Sequence, residues 1–155
     1  MKSQDYTANI LVKATANEAF KCINDVTAWW TENIEGSSKK MNDVFIIHFG
    51  EAFVTMKIVE SVPDIKVVWN VTDCYLHWLA DKKEWKDTRI VFEILAEGDS
   101  TRIQFTHVGL VPQVECYDSC VKGWDQYIKD SLAKLINEDK GLPQKKQMAT
   151  VEVVN

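Results

Sequence analysis

The stretch that decides the fold is ECYDSCVKGWDQYIKDSLAKLINE, residues 115–138. Its apolar residues Tyr117, Val121, Trp124, Ile128, Leu132 and Leu135 return at steps of three and four. That period gives one apolar stripe along a single long helix, roughly 36 Å at the helical rise per residue. Lys140-Gly141 stops the helix, and Pro143 prevents its resumption. Such a stripe must be buried against something.

Working outward, the partner is read from the alternation upstream. Residues 6–13 form a strand with Ile10 and Val12 on one face and Leu11 on the other. Thr15-Ala16-Asn17-Glu18 has the spacing of a capping box. It opens a short helix with Ala19, Phe20 and Ile23 inward. Asn24-Asp25 interrupts that helix, and residues 28–31 form a second helical piece. Strands are expected at 44–49 and 52–60, joined by Gly50-Glu51 as a hairpin turn. After the turn at Pro63-Asp64, residues 65–72 place Ile65, Val67, Trp69 and Val71 on one face. Residues 88–97 and 101–108 form a further pair around Gly98-Asp99-Ser100. Residues 74–87, with His77, Trp78 and Trp85 among many charges, read as a long excursion between strands. The expected architecture is α+β. About six antiparallel strands form a curved sheet wrapped around the C-terminal helix, with two short helices after the first strand. A wedge left between sheet and helix is a natural apolar pocket.

Composition sets the limits. The chain has 155 residues, 46% apolar and 26% charged, which fits one globular domain over residues 1–140 with a tail at 141–155. In that tail, residues 150–154 have the composition of a strand. A net charge of −5 argues against general nucleic-acid binding. No apolar run approaches the ~20 residues of a membrane span. The N-terminal residues lack the apolar core of a secretory signal, so a cytoplasmic location is expected. Cys22, Cys74, Cys116 and Cys120 show no CxxC spacing, so reduced thiols are expected rather than a disulfide framework.

Several features together resemble the START-like, or SRPBCC, superfamily with its helix-grip fold. They are Ala16-Asn17-Glu18-Ala19-Phe20, Trp29-Trp30 and Val67-Val68-Trp69, the run from Thr101 through His107 to Gly109, and Gly123-Trp124 in the long helix. More narrowly the chain resembles the bacterial branch named for the activator of the heat-shock-protein-ninety ATPase, over roughly residues 5–138. That branch commonly carries two glycines before the second strand, where this chain has Met41-Asn42-Asp43. The resemblance implies a cavity for a small hydrophobic or amphipathic molecule. It also leaves open a co-chaperone partner, and a cyclase-, aromatase- or hydrolase-like enzyme using the same cavity.

The expected cavity residues are Trp30, Met56, Trp69, Phe92, Phe105, His107, Cys120 and Trp124. His107, in phase with Ile103 and Phe105, reads either as a contact for a ligand's polar end or as a structural imidazole. Trp69 and Trp124 read as pocket walls or as core filling. Trp78 and Trp85 read as a lid or partner surface, or as local packing. Cys116 and Cys120 share a helix face, but HExxH and paired CxxC patterns are absent. Cys120 therefore reads as a small apolar residue and no metal or cofactor is expected. No acid–base pair stands at a catalytic spacing, so the reading leans away from an enzyme. A homodimer through the tail or an edge strand is a further expectation.

Overall fold

The computed structural model describes residues 5–145. Strand β1 (Tyr6–Val12) is followed by helices α1 (Ala16–Asn24) and α2 (Val26–Trp29). Strands β2 (Ile34–Gly36), β3 (Val44–Phe49), β4 (Ala52–Val62), β5 (Lys66–Tyr75), β6 (Arg89–Glu97) and β7 (Ser100–Val108) come next. They form one antiparallel sheet in the order β1-β7-β6-β5-β4-β3-β2. The C-terminal helix starts as α3 (Tyr117–Trp124), widens into a π-helical stretch (Asp125–Leu132) and ends as α4 (Ala133–Glu138). Its stripe residues Trp124, Ile128, Leu132 and Leu135 are buried in the same core as the inward residues of the sheet.

Local chemistry explains the elements. In α1 the Thr15 hydroxyl accepts from the Glu18 amide at 3.1 Å, and the Glu18 carboxylate accepts from the Thr15 amide at 2.9 Å. β1 alternates buried and exposed along its whole length, as its sequence requires. The seventh strand, absent from the sequence reading, is β2. Its three residues are too few to show alternation. Gly36 is required there: its φ is +90°, and a Cβ would lie 2.3 Å from the Val44 carbonyl oxygen. Where the family carries glycines, Asn42 takes the left-handed conformation instead, at φ 71°. The Asp43 carboxylate braces that turn by accepting from Ser37 Oγ and from the Lys39 and Lys40 amides.

Ile65 departs from its expected inward position and is 58% exposed. It lies before β5, in the turn that Asp64 makes at φ 66°, so strand alternation does not govern it. Register shifts at Val59 and Thr72 locally reset which side chains face inward. The strand expected at 150–154 lies outside the described residues.

Two polar networks tie this frame together. In the first, the Trp124 indole N–H donates to His107 Nδ1 at 3.1 Å. With Nδ1 accepting, Nε2 carries the proton and donates to Thr88 Oγ1 at 2.9 Å, and Thr88 donates to the Trp85 carbonyl at 2.6 Å. Helix, sheet and the 76–87 segment are thereby joined through one buried imidazole. In the second network, Ser131 Oγ on the long helix donates to the Trp29 carbonyl at 2.6 Å and accepts the Leu142 amide at 2.7 Å. The chain after the helix then runs parallel to Thr31. The Gln144 amide donates to the Trp30 carbonyl and the Glu32 amide donates to the Gln144 carbonyl, both at 2.9 Å. Gly141 fits because a Cβ there would lie 2.2 Å from the Ala28 carbonyl oxygen.

Two outcomes follow. Ser131→Ala leaves a buried carbonyl and an amide without their partner, so a loss of about 1–3 kcal/mol is expected in urea unfolding. A loss within experimental error would remove this bridge from the list of stabilising contacts. Burial lowers the His107 pKa from 6.5 to about 3. The unfolded chain therefore takes up this proton first. Stability is full above about pH 6.5 and falls as pH drops toward 3, by up to about 1.4 kcal/mol per pH unit from this residue. The pH dependence of unfolding in His107→Gln should be shallower than in the parent by that slope. Equal slopes would contradict a buried neutral imidazole.

Candidate functional site

Between the long helix, the β3–β4 hairpin and the 76–85 segment lies a cavity of about 280 Å³. Six aromatic rings supply most of its wall: Trp30, Phe49, Trp78, Trp85, Trp124 and Tyr127. Val54 and Leu76 add aliphatic surface, and Ser119, Cys120 and Gly123 come from the helix. No charged side chain lines it. The buried Trp30, Val54, Leu76, Trp85 and Trp124 form its floor, while Trp78, 49% exposed, and Ser119 stand at its mouth. Here the helix passes from α to π geometry: Gly123 and Trp124 close α3, and Tyr127 belongs to the wider stretch. Such widenings are frequent at functional sites.

The rings are set by stacking. Trp124 lies 5.9 Å from Trp85 at an interplanar angle of 13°, and 4.9 Å from Trp30 at 41°. Trp30 in turn stacks on Trp69 at 5.9 Å and 2°, and Trp69 on Trp29 at 6.4 Å and 16°. The wall is thus the outer face of an aromatic layer whose inner face is core. Trp85 is further held by its indole N–H, which donates to Cys116 Sγ at 3.3 Å.

Of the eight residues expected from sequence, Trp30, Cys120 and Trp124 line this cavity. Met56, Trp69, Phe92, Phe105 and His107 do not. All five are fully buried behind the wall. Phe105 sits 4.6 Å from Trp124, and Phe92 5.0 Å from Trp69. Both ring nitrogens of His107 are already engaged, so it supports Trp124 from behind. The indole N–H of Trp69 has no hydrogen-bond partner among the described residues. Sequence reasoning did not place Phe49, Val54, Leu76, Ser119, Gly123 and Tyr127 at the site. Trp78 and Trp85 carried a signal, since two tryptophans in a charged segment are unusual, but periodicity could not say where that segment folds back.

The chemistry offered is narrow. The lining groups with polar atoms in their side chains are Ser119, Cys120, Tyr127 and the indoles. Burial raises the Tyr127 phenol, so it stays protonated. Among the described residues no group of three or more His, Cys, Asp or Glu side chains is placed to hold a metal. No helix among them is long and apolar enough to cross a membrane.

Known proteins agree with the fold. Solved structures share it at identities that speak to the fold alone. The Aha1 dimer from Colwellia psychrerythraea is 19% identical, with a TM-score of 0.73 over 89% of this chain and 99% of that one. CalU16 from Micromonospora echinospora is 14% identical, with a TM-score of 0.64 over 91% and 88%. DynU16, from the dynemicin biosynthetic locus, is 12% identical, with a TM-score of 0.66 over 94% of this chain and 52% of that longer one. Among curated protein sequences no relative is found. The pattern of the family described as "Activator of Hsp90 ATPase homolog 1-like protein" matches residues 14–137. The chain therefore belongs to that family, within the START-like, or SRPBCC, superfamily and its helix-grip fold.

Proposed function

We propose that this chain binds a small, uncharged, flat hydrophobic molecule in the cavity between its curved sheet and its C-terminal helix. The observation that carries the reading is the lining: six aromatic rings and no charged group around about 280 Å³. That volume is close to the lower end of the ~300–1,000 Å³ usual for small-molecule sites. Aromatic faces favour a flat ligand, and an uncharged wall disfavours an ionised one, which would lose its hydration without gaining a partner. Burying about 200 Å² of apolar ligand surface would supply about 5 kcal/mol before association costs. The likeness to DynU16, from a biosynthetic locus, lends further support to a small-molecule ligand.

Catalysis is the weaker reading. A neutral imidazole locked between Trp124 and Thr88 has no free nitrogen with which to move a proton, and no carboxylate lines the wall. A chaperone partner rests on the family's description alone. A second copy of the chain rests on the dimeric Colwellia structure.

Gly123 gives a clean test. It lines the cavity, and a Cβ there meets nothing within 4 Å. Gly123→Leu should fill the space while gaining up to about 1 kcal/mol of helix propensity. The parent should enhance the emission of the neutral probe N-phenylnaphthylamine, and the variant should bind it at least about ten-fold more weakly at equal or higher thermal stability. A parent that binds no neutral apolar probe, or a variant that binds like the parent, would overturn the proposal.

A further inference from the structure

All four cysteines are free thiols. Two of them, Cys116 and Cys120, stand one helical turn apart at the cavity. Cys120 is half-buried and forms part of the wall. Cys116 is buried behind it, at the start of α3, where its sulfur accepts the indole N–H of Trp85. Trp85 is itself a wall residue. The Cys116 position is fixed from the other side as well: the Glu84 carboxylate accepts the amides of Glu115 and Cys116, both at 3.0 Å.

The two thiols are not equivalent. Cys116 directs its S–H at the Cys120 sulfur, which lowers the pKa of Cys120 and raises that of Cys116. Trp85 and Ser119 add donors to Cys120, whereas burial and the negative charge of Glu84 oppose them. The donors prevail. Cys22, also half-buried but remote from the cavity, is the internal contrast. Burial and then Asp25 push its thiol up.

We propose that Cys120 is a nucleophilic thiol inside the binding cavity, and that the chain captures flat apolar electrophiles, α,β-unsaturated ketones above all, as thioethers. This rests on the cavity being a ligand site and names the ligand class it takes. In the step, the Cys120 sulfur bonds to the β-carbon of the enone. The C=C π bond breaks, and its electron pair passes to the carbonyl as an enolate. The Cys120 proton leaves to water at the mouth beside Ser119, and the α-carbon takes a proton back from that water. The sum is addition of S–H across C=C, with no oxidant or reductant. Cys116 forms no bond. It is a positioning residue that keeps a donor on the attacking sulfur.

The test uses the full chain with chalcone, a flat aromatic enone, and dihydrochalcone, its saturated counterpart. Both should displace N-phenylnaphthylamine. Only chalcone should add one mass increment, mapped to Cys120, at least about ten-fold faster than any adduct at Cys22. Cys116→Ala should slow that addition about ten-fold, and Cys116→Ser, which retains a donor, should restore most of it. If both compounds displace the probe but Cys120 reacts no faster than Cys22, the covalent inference falls and the cavity reading stands. If neither compound displaces the probe, both fall. Reaction at Cys120 with Cys116→Ala equal to the parent would remove Cys116 from the step.

Discussion

The structure depends on where one indole is held. Trp124 is the residue at which the long helix, the sheet and the cavity meet. Its N–H is spent on His107, one edge packs on Phe105, and its faces reach Trp85 and Trp30. A buried indole N–H without an acceptor costs about 1–3 kcal/mol, and an imidazole with one idle nitrogen costs a similar amount. Linking the two removes both penalties and fixes the ring orientation that bounds the cavity. Thr88 extends the same chain to the Trp85 carbonyl, so the opposite wall is held by the imidazole that holds the first. The histidine thus shapes the site without entering it.

The aromatic layer serves two demands that conflict. A sheet gripping a helix must be filled at close to crystalline density, and a ligand site requires a place where filling stops. Here the layer is two rings deep. Trp69, Trp29, Phe92 and Phe105 interlock beneath, fully buried, and Trp30 and Trp124 cover them. The hollow begins beyond those covering rings, because Gly123 puts no side chain into it and Val54 is short. The segment after the helix reinforces the layer from behind. Ser131 and Gln144 clamp the backbone of Trp29 and Trp30, so the stacked indoles are held at their main chain as well as by their faces.

This division explains what was legible in the sequence. Residues whose environment repeats along an element were readable. The alternation of β1, the capping box at Thr15 and the stripe through Trp124, Ile128 and Leu132 all stand as their spacing requires. Reading failed where a local event breaks the period. Ile65 keeps phase with Trp69 on paper, but a left-handed Asp64 turns it out before the strand begins. β2 is too short to have a period, and nothing in residues 125–132 announces a π-helical stretch. The eight expected cavity residues share one feature: each lies in phase with the core. Phase identifies the inward face but cannot say how deep a side chain sits on it. That is why Met56, Trp69, Phe92, Phe105 and His107 lie one layer behind the wall.

The mouth of the cavity is built from the parts of the chain that the fold needs least. Leu76, Trp78 and Trp85 come from a segment between strands, and Ser119, Cys120 and Gly123 from the first turns of a helix whose later turns grip the sheet. The features that place the chain in its family are the capping box, Trp29-Trp30, the β5 and β7 strands and the helix stripe. They fix the back wall and leave the front open to change. A family defined by its back wall can hold members with different occupants, because substitutions at the front alter the chemistry offered without a cost in the core. For this chain the front offers indoles, one phenol and one thiol with a second thiol behind it. Its selectivity must therefore come from ring stacking and from sulfur rather than from charge.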